Sequence, residues 1–399
     1  MKEKLYSGKS DLRAVLEVLA VSLKLGTTSF GGPIAHLGYY HNEYVDKRKW
    51  LDERSYLDLV ALCQFLPGPA SSQISIAIGT IRAGFAGGIA AWIGFTLPSA
   101  VLMILFAFVL QGFSIIDSGW LHGLKIVAAA IVAQAILTMW QKLITDKIRS
   151  VIAIAVFIIL LFWHSAFNQI FLIAAAGLAG LVFYRKHEIP EVTRIKVPVN
   201  KKAAVLCLTV FFVLLVSLPV IRNLTGDRFI AVADSFYRSG SLVFGGGHVV
   251  LPLLEHEVVP SGWVSKDVFL AGYGAAQGVP GPLFTFAAYL GAMIGGMKGA
   301  IIALTAIFLP AYLLIIGALP FWNILRNSSK IQGALAGVNA AVVGILLAAL
   351  YNPVWVSAVF SEYDLSLAVM LFGMLVFIKL PPWIIVIAGA AGGMLLELI

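Results

Sequence analysis

What most constrains this chain is a succession of long apolar runs with almost no charge, such as Val151 to Trp163. Runs able to cross about 30 Å of hydrocarbon fall near 11–29, 57–79, 84–111, 120–141, 149–164, 167–184, 203–221, 228–246, 266–292, 295–319, 331–350, 366–379 and 383–398. A membrane β-barrel would alternate apolar and polar residues at every second position, which these runs do not. Helices are the other way to satisfy every backbone donor and acceptor in lipid, so the expected fold is an all-α polytopic membrane protein. Composition agrees: 12% of the 399 residues are charged and 60% are hydrophobic, against about 25% charged in soluble domains.

A net charge of +8 would point to nucleic acid in a soluble protein. Here the basic residues sit in short segments between apolar runs, where they orient the chain in the membrane, and no nucleic-acid partner is expected. With the N-terminus inside, nominally inside segments hold 18 Lys/Arg and outside ones 7, which predicts a cytoplasmic N-terminus. Lys47, Arg48, Lys49 and Arg54 are the exception, and they mark the 11–56 region as re-entrant or held by contacts that override the bias. The polar start MKEKLYSGKS, followed by an apolar run broken by Glu17 and Lys24, does not read as a cleaved signal peptide. Cys63 and Cys207 lie in apolar runs without metal-ligand spacing and read as small core residues.

The chain repeats itself. Phe30-Gly31-Gly32-Pro33, Glu43, Trp50, Gln64 and Pro67-Gly68-Pro69 recur as Phe244-Gly245-Gly246-Gly247, Glu257, Trp263, Gln277 and Pro280-Gly281-Pro282, at a constant offset of 213 or 214. The offset drifts to 212 at Pro98 and Pro310 and to 210 at Gly123 and Gly333, as single-residue gaps produce. The expected organisation is a repeat over 1–184, a basic linker and connecting helix over 185–227, and a second repeat over 228–399. One extra helix between six-segment halves would invert the second half across the membrane; a parallel repeat would need 203–221 not to span.

The Pro-Gly-Pro triplets interrupt 57–79 and 266–292 near their middles. Proline removes a helix donor and clashes with the preceding turn, so each segment should be two half-helices meeting at an unwound point, tolerated at depth only where it lines a cavity or packs in protein. The half-helix starting near Ala70 offers free N–H groups and a positive dipole end to an anion, with Ser71, Ser72 and Gln73 as added donors and Gln64 and Gln277 flanking the breaks. The second half has Leu283-Phe284-Thr285-Phe286 there, far less polar. Gly31, Gly32, Gly245 and Gly246 either bring backbone close to a ligand or cap their helices.

Lys24 and Arg238 occupy equivalent positions within apolar segments. An intramembrane cation must be paired or face a cavity, so these two either hold an anionic substrate or form structural ion pairs; Arg13, Glu17 and Lys24 share a helical face, as do Asp234 and Arg238. His36 and Glu43, with His248 and Glu257, are candidates for a proton relay. Lys125 has no basic counterpart in the second half, where Leu335 stands. No metal cluster, nucleotide-binding loop or nucleophile elbow is present, so no cofactor and no enzymatic activity are expected, and energy must come from a gradient or another subunit.

FGGPIAH at 30–36, the region around Trp50 and LPGPASSQ at 66–73 resemble the signature stretches of the chromate ion transporter family, over nearly the whole chain. The resemblance implies a multi-pass transporter of the prokaryotic inner membrane that exports chromate and confers resistance to it, with sulfate as the structural analogue and halves arising by inverted duplication. Chromate or sulfate and membrane lipid are then the partners, with a homodimer as a further expectation. FGGGHVV and PLFTF in the second half depart from the family pattern. Two other classes remain: a gated anion channel, and a membrane enzyme acting on lipid, for which His36, His41 and Glu43 are the nearest acid-base group.

Overall fold

The computed structural model describes residues 12–112, 118–163, 166–184, 199–244, 246–322 and 328–398. Among the described residues every regular element is a helix; Gly245 lies outside them. The first half runs α1 (Leu12–Thr28), α2 (Gly32–Tyr40) with a π-helical extension His41–Lys47, α3 (Glu53–Phe65), α4 (Ala70–Gly112), α5 (Gly119–Leu143), α6 (Lys147–Phe162) and α7 (Ala166–Phe183). After α8 (Lys201–Thr225) the second half repeats the order: α9 (Arg228–Leu242), α10 (Val250–Val258), α11 (Lys266–Ala276), α12 (Phe286–Ala318), α13 (Ser329–Ala349), α14 (Glu362–Val376) and α15 (Pro382–Leu396). Five stretches, built on α4, α5, α8, α12 and α13, are long and apolar enough to cross a membrane. α8 is exposed along most of its length, as befits a helix facing lipid.

Two long helices conceal reversals. At Ala83-Gly84 in α4 and Gly295-Gly296 in α12 the backbone leaves helical geometry, with φ of 65° and 59° at the second residue of each pair. Eight residues along a continuous helix span about 12 Å, yet a β-carbon on Gly79 would collide with the Gly87 carbonyl, and one on Gly291 with that of Gly299. Each long helix is therefore a tight hairpin of a short and a long arm, closed by glycines that let the two backbones touch.

The 11–56 region, marked as re-entrant or held by contacts, and the segment 57–79, expected as a broken crossing, each contain a hairpin of two helical arms. Arg48 and Arg82 each donate to Glu17, at 3.2 and 3.0 Å, and Arg82 also lies 5.3 Å over the Trp50 ring. Residues 17, 48–50 and 82 thus share one end, so the chain enters on α1 and returns on α2, then enters on α3 and returns on 70–82. The 13 residues of α3 reach only about 20 Å. In the second half Tyr289 Oη donates to Val268 O at 2.8 Å, which pairs the arms of the matching hairpin. The same reversal accounts for Lys47, Arg48, Lys49 and Arg54: the hairpin carries them back to the side from which α1 sets out.

The halves are inverted. Tyr312 Oη donates to Phe85 O at 3.1 Å, and the Trp92 and Phe308 rings lie 6.0 Å apart. Partner numbers rise on one side as they fall on the other, so the equivalent long arms of α4 and α12 run antiparallel. The halves also interlock. α5 packs on α15 and α13 packs on α7 through facing glycines: a β-carbon at Gly123 would strike the Gly389 carbonyl, and one at Gly180 that of Gly333. Small residues allow this close backbone approach in a membrane, where no hydrophobic drive holds helices together.

Candidate functional site

The four hairpin tips meet across the two halves. Gly68 N–H, in the first Pro-Gly-Pro, donates to Val243 O at 2.7 Å, and Gly281 N–H, in the second, donates to Ser29 O at 2.9 Å. Val243 and Ser29 are repeat equivalents, so each half offers its broken segment to the other half's first hairpin. Both glycines hold positive φ, 118° and 98°, where a side chain would be strained. Proline on either side keeps the triplet extended and withholds its own donor, leaving the glycine amide as the one that crosses.

The charges sit apart from this crossing. Lys24 Nζ donates to Glu43 Oε2 at 2.9 Å and Arg48 Nε to Glu43 Oε1 at 2.9 Å. The second half repeats the arrangement, with Arg238 Nη1 3.0 Å from Glu257 Oε1 and Arg238 Nε donating to Asp234 Oδ1 at 2.9 Å. Of the two readings of Lys24 and Arg238, the geometry realises the ion pair: each cation ties the two arms of its re-entrant hairpin together. Glu43 is 6% exposed, and a carboxylate that deep needs such partners. Glu43 and Glu257 are thus occupied by cations, and the four groups named for a proton relay are not brought into one cluster. His36 is buried, with Nε2 3.2 Å from Ser29 O, and so braces the tip that receives Gly281.

Ser71, Ser72 and Gln73 are buried beside the first break. Gln73 Nε2 donates to Pro67 O at 2.8 Å, closing the unwound turn on itself, while Ser72 Oγ and Gln73 Oε1 have no hydrogen-bond partner. Gln64 is exposed at the end of α3.

A cavity of about 590 Å³ opens between the halves, within the range of small-molecule sites. Its floor is the crossed tips, with Gly31, Gly32, Gln277 and Gly281; its walls are α5, α2 and the α14–α15 turn. Of the residues singled out from sequence, Gly31, Gly32, Gln277, Gly281 and His248 line it, whereas Lys24, Arg238, Gln64, Ser71, Ser72 and Gln73 do not. Sequence reasoning missed Gln134, Thr138, Gln141 and Lys379, which do. A signal was available: Gln134, Thr138 and Gln141 follow i, i+4, i+7 spacing, one face of a helix, and the repeat offset replaces them with Gly344, Ala348 and Tyr351. No Asp or Glu lines the cavity among the described residues, and Lys379 brings a positive charge.

The equivalent region of the other half is filled. Gly344 and Ala348 are buried on α13, and a β-carbon on Gly344 would meet the Ala153 carbonyl and Val156 of α6. The halves share a sequence pattern and a fold but hold different packing on their two sides.

Two stretches of the chain, 16–181 and 230–394, match the family profile described as chromate transporter, one in each half. A probable chromate transport protein of Synechococcus elongatus is 29% identical over 93% of both chains. Chromate transport proteins of Pseudomonas aeruginosa and Cupriavidus metallidurans are 26% and 28% identical, over 83% and 82% of this chain and 79% of each of theirs. No solved structure matches. With both halves matched and both carrying the hairpin pair, the chain belongs to the chromate transporter family.

Proposed function

We propose that this chain is a secondary transporter that carries chromate, or a related tetrahedral oxyanion such as sulfate, out of the cell across the inner membrane by alternating access, and so confers chromate resistance. The observation that carries the reading is the crossed pair Gly68–Val243 and Gly281–Ser29, with a cavity above one crossing and packed helix above the other. Inverted repeats that hold different packing on their two sides can exchange those packings, which moves the opening from one face to the other. The relatives' names supply chromate as the substrate to test.

The orientation follows from charge. Arg48, Arg82, Lys142, Lys147 and Arg149 belong to the face where the first half's hairpins begin and α5 ends, which makes that face cytoplasmic by the bias of basic residues. The cavity is bounded by the later turns of α5 and by Lys379, so it opens inward, as loading for export requires. A dianion leaves water only where donors and positive charge replace its hydration, and Gln134, Gln141, Gln277 and Lys379 on the cavity wall can supply them.

The test is radiolabelled chromate uptake into inside-out vesicles containing the protein, with and without a pH gradient and with sulfate as competitor. Saturable, gradient-dependent uptake is expected. Passive electrogenic flux insensitive to any counter-ion would replace the transporter with a gated channel, and no flux of either anion would end the reading.

A further inference from the structure

The repeat is symmetric at the tips but not along the cavity wall. Gln134, Thr138 and Gln141 put a polar row on α5, and α13 has nothing comparable in Gly344, Ala348 and Tyr351. Thr138 Oγ1 donates to Gln134 O at 2.9 Å, so within the row the two side-chain amides are the groups left to donate outward. Across the cavity stands Gln277, whose buried Nε2 has no hydrogen-bond partner. His248 closes the same side, its Nδ1 2.9 Å from Tyr273 Oη.

Lys379 adds an independent signal. It follows α14 in the left-handed region, φ 60°, at the close of a turn where Leu380 N–H returns to Met374 O at 3.0 Å. Glycine is the usual occupant of such a helix-ending position because it has no side chain to strain. The lysine held there places a positive charge on the wall of a cavity whose described lining residues include no carboxylate.

We propose that one oxyanion binds in this cavity, between the amides of Gln134, Gln141 and Gln277 and the ammonium of Lys379, and that the site exists once in the molecule rather than once per half. The ligand is a compact tetrahedral dianion: amide N–H groups and an ammonium replace its water, and no carboxylate among the described lining residues repels it. The paired cations Lys24 and Arg238 hold hairpins and take no part in recognition. A single site made of first-half amides, a second-half amide and a second-half lysine is cut by the boundary between the halves, so moving one half past the other takes it apart and releases the anion. This inference rests on the transport reading for its substrate class.

The experiment is equilibrium binding of radiolabelled chromate, and separately sulfate, to the purified full chain, with vesicle uptake run in parallel. Gln134→Leu, Gln277→Leu and Lys379→Gln should each weaken binding at least about tenfold, as expected for loss of a hydrogen bond to a charged group. Lys379→Arg should restore most of the affinity. Lys330→Gln, which removes a charge outside the cavity, should leave binding at the wild-type level and so exclude a general surface-charge effect. Saturation at one anion per chain is expected, and melting curves confirm that each variant is folded. Folded variants that all bind like wild type, or saturation at two anions per chain, overturns the single site while leaving transport intact. Binding with the predicted losses but no vesicle flux overturns the transport reading alone.

Discussion

Gly68 and Val243, 175 residues apart in sequence, are joined by a 2.7 Å hydrogen bond from amide to carbonyl, and the bond is repeated in the inverted half by Gly281 and Ser29. At both glycines a side chain would be strained. At Gly281 a β-carbon would lie 2.9 Å from Ser99 Oγ, and at Gly68 it would lie 3.1 Å from Gln73 Nε2, each at a φ that disfavours one. Gly68→Ala and Gly281→Ala should each destabilise the protein by about 1–3 kcal/mol. Both should also abolish chromate efflux while the chain still reaches the membrane. Melting temperature in detergent and efflux from cells lacking their own exporter measure the two effects; a fully active Gly281→Ala variant would sink the crossed-tip mechanism.

The Lys24–Glu43 pair predicts a rescue. Lys24 is 55% exposed at its side chain, so its loss alone should cost only about 1 kcal/mol, with Arg48 still holding the carboxylate. Glu43→Lys places three cations together, with Lys24 and Arg48, and should be far worse. The exchange Lys24→Glu with Glu43→Lys should recover part of the loss, as read by a double-mutant cycle on melting temperature. If Lys24 instead bound the anion directly, Lys24→Met would raise KM for chromate with little change in stability.

The glycine contacts between halves carry a packing prediction. Gly123→Leu forces α5 off α15, and Gly333→Leu forces α13 off α7. Each should destabilise by about 1–3 kcal/mol through overpacking. Loss of a monodisperse peak on size-exclusion chromatography is the accompanying sign, and variants as stable as wild type would show that the halves do not interlock there.

Cysteine labelling tests the asymmetry of the two sides. In a background where Cys63 and Cys207 are replaced by alanine, Thr138→Cys should react with a membrane-impermeant thiol reagent from one face and be protected by chromate. Ala348→Cys, its repeat equivalent, is buried under α6 and should be inert until turnover exposes it from the opposite face. Equal reactivity of both from the same face would contradict alternation.

One pH effect lies outside the apolar run 366–379. Burial opposes ionisation of Asp364, but hydrogen bonds from His122, at 2.7 Å, and from Phe360 N–H and Ser361 outweigh it and hold the carboxyl below the usual aspartate range. A depressed value in the fold stabilises above the unfolded pKa and is lost as pH falls through the folded one. Wild-type melting temperature should therefore drop below about pH 4 more steeply than that of Asp364→Asn. Parallel curves would remove this contribution.

Sequence alone determined a great deal here: the all-helical class, because apolar runs without charge leave no other way to satisfy the backbone; the duplication, because Phe-Gly-Gly, Glu, Trp, Gln and Pro-Gly-Pro recur at one offset; and the unwound points, because proline forbids the helix. Tertiary structure decided direction and partnership. The length of an apolar run counts residues and not the way the chain turns, so 57–79 reads as a broken crossing and 11–56 as either re-entrant or pinned, until the bonds of Arg48 and Arg82 to Glu17 bring both back to one end. The placement of Lys24 and Arg238 within apolar runs implied a counter-charge or a ligand, and only folding chose Glu43 and Glu257. Gln134, Thr138 and Gln141 are ordinary polar residues in an apolar helix until the second half's Gln277 and Lys379 face them, because a cavity between inverted halves belongs to neither half's sequence.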